Sequence, residues 1–221
     1  LWDLANSKEG KSSASAQTMT TDVAYEVDGV QEADENTVAE ANAILQSSTI
    51  MTTAGEELSA DLDELNAAYP DQLGFILINE ETGEAITTNE SRVFTSASLY
   101  KLFLTYAILE HVDAGVLSLQ DQMADGATID DYLTSTITVS ANETAKALAH
   151  LIGWENIETF IHDQGFISTT FNPYLESDGV YYNGDLETTP AEVAFLLECL
   201  LDGELLSEAS TKYFLGLLGN Q

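Results

Sequence analysis

The stretch from Ser98 to Val112, SLYKLFLTYAILEHV, is apolar on nearly every side when it is wound as a helix. A helix of this kind must be surrounded by protein, so the stretch predicts a central helix around which a core packs. Lys101 interrupts the pattern, because it stands where a leucine is expected. The chain has only 6 Lys and Arg against 38 Asp and Glu. A lysine inside its most apolar helix therefore marks a candidate functional residue.

Ser98 and Lys101 lie three residues apart, a spacing that places both side chains on one face of a helix. A serine hydroxyl is a weak nucleophile until a neighbouring base takes its proton. Lysine can be that base when an apolar environment lowers its pKa. The N–H groups at a helix start can in addition form an oxyanion hole. The simpler alternative is a serine that caps the helix beside a lysine whose amine reaches solvent.

The elements around this helix predict a mixed fold of the α/β (α+β) class. Helical spacing of leucines from Leu58 to Leu65 precedes two strand-like runs, Leu73–Asn79 and Glu84–Thr88, which a turn at Thr82-Gly83 joins into a hairpin. Mostly helices follow the central one. Their predicted starts are Thr128, Ser140 with Glu143 as a capping box, Trp154, Thr189 and Ser207.

The composition divides the chain near residue 52. Residues 1–52 are rich in Ser, Thr, Ala and acidic residues, which is typical of a linker or N-terminal extension. Within them, Val23–Val27 alternates like a short strand and Thr37–Gln46 is a candidate helix. Residues 53–221 carry 29 acidic residues against 4 basic ones, so the acidity belongs to the predicted domain and not to a tail.

The charge of −32 and the single cysteine exclude several classes of function. Nucleic acids and anionic membrane surfaces are bound through Lys and Arg, which this chain lacks in number. No apolar run approaches the ~20 residues of a membrane span. Cys199 alone rules out an internal disulfide and a Cys-rich metal site. The three histidines are scattered, so neither a metal nor another cofactor is predicted.

Together, Ser98-x-x-Lys101 and Ser140-Ala141-Asn142, 42 residues downstream of Ser98, resemble the motifs of the penicillin-recognising serine hydrolases, specifically the class A β-lactamase-like family. Segments 128–149 and 187–210 also resemble this family, and the likeness covers about residues 56–220. The resemblance implies a helical lobe packed on an antiparallel sheet. It also implies that residues 53–221 form the hydrolase domain.

The same resemblance implies roles for four residues. Ser98 would be the acylated nucleophile, Lys101 its proton acceptor, and Ser140 the group that passes a proton to the leaving nitrogen. Asn142 would bind the amide side chain of the substrate. The implied substrates are small-molecule β-lactams, as in antibiotic resistance, or peptidoglycan peptides, in a secreted or cell-envelope protein. The alternatives are a penicillin-binding D-Ala-D-Ala peptidase-like enzyme and a catalytically silent binding or structural relative.

The chain departs from the family pattern in two respects that matter for function. The third motif of the family, K-T-G, does not occur before Gln221. We therefore expect a longer natural polypeptide or another chain to complete the sheet. The loop Phe171–Leu186 also lacks the family string R-x-E-P-x-L-N, whose glutamate activates the deacylating water. Glu176 is the only acidic residue of this loop placed to substitute for it, while Asp178 and Asp185 are candidates for holding the loop together.

Overall fold

The structure is a computed structural model that describes residues 53–79 and 82–221. Its helices are α1 (Thr53–Ala68), α2 (Tyr100–Asp113), α3 (Ile129–Thr138), α4 (Asn142–Ile152), α5 (Trp154–Asp163), α6 (Pro190–Asp202) and α7 (Glu208–Leu218). Its strands are β1 (Phe75–Ile78), β2 (Ala85–Thr88), β3 (Phe94–Thr95), β4 (Tyr174–Leu175), β5 (Tyr181–Tyr182) and β6 (Glu187–Thr188). The predicted mixture of helices and antiparallel strands is confirmed.

Helix α2 is at the centre of the core that the described residues form, as its apolar sequence predicts. Every residue from Tyr100 to Leu109 is buried, including Lys101. Helices α3 to α7 contribute most of the other side chains of the same core, among them Leu133, Leu148, Trp154 and Phe214. Each fully buried aliphatic or aromatic side chain contributes about 1.5–3 kcal/mol to folding, so this core is the main source of stability. The position of α2 in turn determines where Lys101 lies.

The described strands form three antiparallel pairs. The predicted hairpin is present as β1–β2, with Phe75 opposite Thr88 and Ile78 opposite Ala85. Strands β4 and β5 form a second hairpin within the loop 171–186. The third pair, β3–β6, is not local, since it joins residues far apart in sequence. It holds the segment just before Ser98 against the end of that loop.

Three helix starts, those of α3, α6 and α7, carry side-chain caps, whereas α2, α4 and α5 have none. Thr128 forms a full capping box with Asp131, and the side chains of Thr189 and Ser207 cap α6 and α7. The predicted capping box of Ser140 and Glu143 is wrong. Helix α4 begins at Asn142 with Ala141 as its N-cap, and no side chain caps it. The Ser140 hydroxyl lies instead beside the Lys101 amine.

The other sequence-based boundaries shift by only a few residues. A 3-10 turn, Ala97–Leu99, precedes α2, so the helix itself starts two residues after Ser98. The strand-like run Val23–Val27, the candidate helix Thr37–Gln46 and the whole predicted linker lie outside the described residues. None of the helices in the described part of the chain combines the length and apolarity that a bilayer span requires.

Two glycines provide a test of the packing between β1, β3 and α6. A Cβ on Gly74 would lie 2.5 Å from the Phe94 ring and 3.0 Å from Pro190, whereas a Cβ on Gly216, in helix α7, would meet no atom within 4 Å. We expect Gly74→Ala to lower the free energy of unfolding by about 1–3 kcal/mol through overpacking. The control, Gly216→Ala, is expected to raise it by about 0.5–1 kcal/mol because alanine favours the helix. Urea denaturation measures both values, and equal effects would contradict the described packing.

Candidate active site

The side chain of Lys101 is the centre of the candidate site. It lies in the first turn of α2 and the residue is only 2% exposed. Its Nζ is 2.6 Å from the carbonyl oxygen of Ser140, 3.0 Å from Ser140 Oγ, 2.8 Å from Asn142 Oδ1 and 3.4 Å from Ser98 Oγ. The structure thus brings together all four residues that the sequence singles out.

The chemistry of these four oxygens fits both protonation states of the amine. The Ser140 carbonyl and Asn142 Oδ1 have no hydrogen to give, so they must accept from Nζ, and they are the two nearest partners. A neutral amine has two N–H groups for them, which leaves its lone pair for a hydroxyl. A charged ammonium has a third N–H that a hydroxyl oxygen accepts. The two carbonyl acceptors are therefore satisfied whether Lys101 is neutral or charged, and a serine hydroxyl can face the amine in either state.

Burial lowers the pKa of Lys101 from the ordinary lysine value, because desolvation disfavours the ammonium form. The oxygens that surround Nζ are neutral, so no carboxylate offsets this effect within hydrogen-bond distance. In residues 53–79 and 82–221 the ion pairs are Arg92–Asp71 and Lys146–Glu143, and Lys101 takes part in neither. The environment therefore favours an amine that can accept a proton.

Ser98 lies in the 3-10 turn and is exposed, so its hydroxyl is accessible from outside the core. The preceding residue, Ala97, has φ of 45°, in the left-handed region that a non-glycine residue rarely adopts. Such strain is often found at functional sites, where the surrounding structure maintains it. Here the backbone N–H of Ser96 donates to the carbonyl of Leu186 at 2.8 Å, which holds the chain on the other side of Ala97.

The turn between α3 and α4 carries Ser140, and Asn142 is the first residue of α4. Ser140 has φ of 54°, which aims both its carbonyl and its hydroxyl at Lys101. The Ala141 N–H donates to Ser135 O at 3.1 Å, and the hydroxyls of Thr136 and Thr144 are 2.9 Å apart across the turn. These contacts keep the turn rigid and so fix the distance from Ser140 to the buried amine.

Glu176 is not brought to this cluster. It lies exposed at the turn of the β4–β5 hairpin, where its backbone pairs with Val180. Among the hydrogen bonds of the described residues, the Glu176 side chain makes none to Ser98, Lys101 or Ser140. Asp178 does hold the loop together, since it accepts from Val180 N at 2.9 Å and from Tyr182 Oη at 3.0 Å.

Sequence reasoning missed one carboxylate near the site, that of Glu158 on α5, which contacts the start of the loop 171–186. The sequence does contain a signal for this residue. Glu158 follows Trp154 by four residues, so it lies on the helix face that the buried residues Trp154, Ile157 and Ile161 form. An acid on such a face needs a partner nearby. Within the described residues, no group of three His, Cys, Asp or Glu side chains is arranged to hold a metal ion.

The model of the beta-lactamase enzyme family matches residues 57–221. A beta-lactamase of Rhodobacter capsulatus is 25% identical in an alignment of 184 positions that covers 74% of this chain and 63% of the relative. The chain thus spans less than two thirds of the length of that relative.

Solved structures give the same result. The beta-lactamase from Sphaerobacter thermophilus is 25% identical with a TM-score of 0.60, over 74% of this chain and 69% of that one. An ancestral class A beta-lactamase is 26% identical with a TM-score of 0.64, over 74% of this chain and 71% of that one.

The lowered pKa of Lys101 can be measured directly. In protein labelled with ¹⁵N-lysine, we expect the Lys101 side-chain nitrogen to titrate with a midpoint below 10.5, the ordinary lysine value. The signal is assigned by its loss in Lys101→Met, and the chain has only five lysines to resolve. A midpoint at or above 10.5 would show that the amine is not desolvated as its burial indicates.

Proposed function

Since the chain belongs to the beta-lactamase enzyme family, we propose that it is a serine hydrolase that attacks β-lactams through an acyl-enzyme on Ser98. The observation that carries the proposal is the position of the Lys101 amine. It is desolvated and lies within hydrogen-bond distance of the hydroxyls of Ser98 and Ser140. A base beside a serine hydroxyl is an arrangement that activates the serine as a nucleophile for acyl transfer.

In the proposed acylation, neutral Lys101 takes the proton of Ser98 Oγ, which is 3.4 Å from Nζ. Ser98 Oγ then forms a bond to the lactam carbonyl carbon, and the carbon–nitrogen bond of the ring breaks. Ser140 gives its proton to the departing nitrogen and recovers one from the Lys101 ammonium, 3.0 Å away. The proton of Ser98 has thus been passed to the leaving nitrogen, and Lys101 is neutral again.

Two further groups support this reaction. Asn142 Oδ1 accepts from Lys101 at 2.8 Å, so its NH₂ group remains to donate to the amide carbonyl of a substrate. The start of α2 lies next to Ser98, and the positive end of its helix dipole is suited to stabilise the oxyanion of the tetrahedral intermediate. Ser98 and Asn142 are both exposed, which is consistent with a site that a substrate reaches from solvent.

The first test is covalent labelling of the full-length protein by benzylpenicillin, followed by mass spectrometry. We expect Ser98 to gain the whole mass of the penicillin, because ring opening releases no fragment. Ser98→Ala should abolish the adduct, and Lys101→Ala should slow acylation about 100-fold or more, the typical contribution of a general base. The controls are Ser91→Ala and Lys146→Ala, which alter exposed side chains.

If the full-length parent protein neither forms an adduct nor hydrolyses a chromogenic cephalosporin, the proposed chemistry is wrong. A catalytically silent binding or structural relative is then the better description. Rapid hydrolysis of a chromogenic cephalosporin without an accumulating adduct supports the proposal as fully as a stable adduct does. The two results differ only in the rate of deacylation.

A second candidate, a penicillin-binding peptidase-like enzyme that deacylates slowly, is favoured by the position of Glu176. This is the one acid of the loop 171–186 that the sequence offers as a deacylation base, and its side chain lies exposed at a hairpin turn. A base must come within hydrogen-bond reach of the attacking water beside the acylated serine. An acyl-enzyme on Ser98 would therefore persist, and peptidoglycan peptides would be the more natural substrates.

Glu176→Gln distinguishes the two candidates. We expect this substitution to leave the lifetime of the acyl-enzyme unchanged, because the carboxylate does not contact the reacting groups. The lifetime is measured by the loss of the Ser98 adduct after excess penicillin is removed, with Asp185→Asn as a control within the same loop. An adduct that lasts about 100-fold longer in Glu176→Gln would identify Glu176 as the general base and favour a true β-lactamase.

Both candidates act on cell-wall peptides or on their β-lactam mimics. We therefore place the protein outside the cytoplasm, either secreted or attached to the cell envelope. The proposal rests on where such substrates occur. Detection of the protein in the secreted or envelope fraction of the source cells would test it.

A further inference from the structure

One oxygen of Glu158 accepts three hydrogen bonds from consecutive residues at the start of the loop 171–186. They come from Thr170 Oγ1 at 2.5 Å, Phe171 N at 2.6 Å and Asn172 N at 3.0 Å. Hydrogen bonds to a carboxylate are about twice as strong as those between neutral groups. Glu158 takes part in no ion pair among the described residues. The carboxylate is therefore bound by a hydroxyl and by backbone N–H groups, and by no cationic side chain of the described residues.

These bonds are part of the contact between the two ends of the loop, residues 170–172 and 184–186, which we call the neck. Asn172 has φ of 46°, and its side-chain Nδ2 donates to the carbonyl of Asp185 at 2.7 Å. The Gly184 N–H donates to the carbonyls of Phe171 and Asn172 at 2.9 and 3.0 Å. A Cβ on Gly184 would lie 2.7 Å from the Asn172 oxygen, so the two strands of the neck approach too closely for any other residue.

Both sides of the neck contact the residues that flank Ser98. On one side the buried Phe171 ring packs edge-on against Tyr100, with 6.2 Å between centroids, and Tyr100 directly precedes Lys101. The Lys101 amine is 5.8 Å from the centre of the Tyr100 ring. On the other side the Leu186 carbonyl accepts from Ser96 N at 2.8 Å, just before Ala97 and Ser98. The neck thus touches the chain before and after the nucleophile.

We propose that Glu158 is a positioning residue for the Ser98–Lys101 pair, which it acts on through the neck of the loop 171–186. Without its carboxylate, the Thr170 hydroxyl and the Phe171 N–H lose their acceptor, and the Asn172 N–H keeps only Thr170 Oγ1, at 3.1 Å, so the left-handed turn at Asn172 is held less firmly. Phe171 then moves relative to Tyr100, and the distance from Ser98 Oγ to Lys101 Nζ is no longer fixed. This inference rests on the proposed function, because its consequence for catalysis requires that Ser98 is acylated.

The test compares Glu158→Ala and Glu158→Gln with Asp163→Asn, which removes an exposed charge from the end of the same helix. Acylation of the full-length protein by benzylpenicillin is followed at several concentrations, at a temperature where each variant is fully folded. We expect the saturating rate in Glu158→Ala to fall about 10- to 100-fold, the effect of misplacing reacting groups by up to an ångström. The concentration for half-saturation and the Asp163→Asn rate should not change.

The neutral amide of Glu158→Gln still offers an oxygen to the neck, so we expect this variant to retain a rate between those of the parent and Glu158→Ala. If Glu158→Ala does not fold, the saturating rate of Glu158→Gln alone provides the test. A merely structural role would lower the amount of folded protein and leave the rate per folded molecule unchanged. Parent-like saturating rates in both folded variants would overturn the proposal.

A second readout does not depend on reactivity toward β-lactams. If the neck loosens, water reaches the Lys101 amine, so the midpoint of its ¹⁵N titration in Glu158→Ala should rise toward 10.5. Should the parent protein neither form an adduct nor hydrolyse a chromogenic cephalosporin, the proposed function fails, and this shift still decides whether Glu158 positions the site. An unchanged Lys101 midpoint in Glu158→Ala would show that the neck does not control the surroundings of the amine.

Discussion

The buried amine of Lys101 needs hydrogen-bond acceptors, and the arrangement of the segments around it depends on this need. Lys101 lies within the most apolar helix of the chain, and its nitrogen is bound by oxygens of Ser98, Ser140 and Asn142. An unpaired amine in this position would be costly, so the turn between α3 and α4 is tied to α2. The positive φ of Ser140 is the backbone conformation that this contact requires. Because the partners are neutral, the same contacts that satisfy the lysine leave it a usable base.

In this fold, carboxylates accept hydrogen bonds from hydroxyl and backbone N–H groups at places where many other proteins have ion pairs. In the described part of the chain, Asp113 binds the hydroxyls of Ser207 and Ser210 at the start of α7, and Glu192 binds Ser168 N and Thr169 Oγ1 before the loop. Glu158 holds the neck of the loop in the same manner. A chain with six basic residues and 38 acidic ones has few cations to offer. Backbone N–H groups and hydroxyls are abundant, and they supply charge-assisted hydrogen bonds instead.

The parts that could be predicted are those governed by local rules. The burial of α2 follows from its composition, the cap at Thr128 from its side chain, and the contact of Ser98 with Lys101 from their spacing. The capping box expected at Ser140 failed because a long-range partner, Lys101, competes for the same hydroxyl. Glu158 was missed for a related reason: its partners lie 12 to 14 residues away, and no local pattern indicates them.

Composition and spacing alone were enough to establish the central helix, the hairpin, the candidate nucleophile and its base, because each depends on residues within one or two turns. The convergence of Ser140 and Asn142 on Lys101 followed from resemblance to a family and from no rule of local structure. The exposure of Glu176, the strained backbone at Ala97 and the closed neck of the loop came from the fold itself. They depend on which distant segments meet, and that is settled by packing around α2.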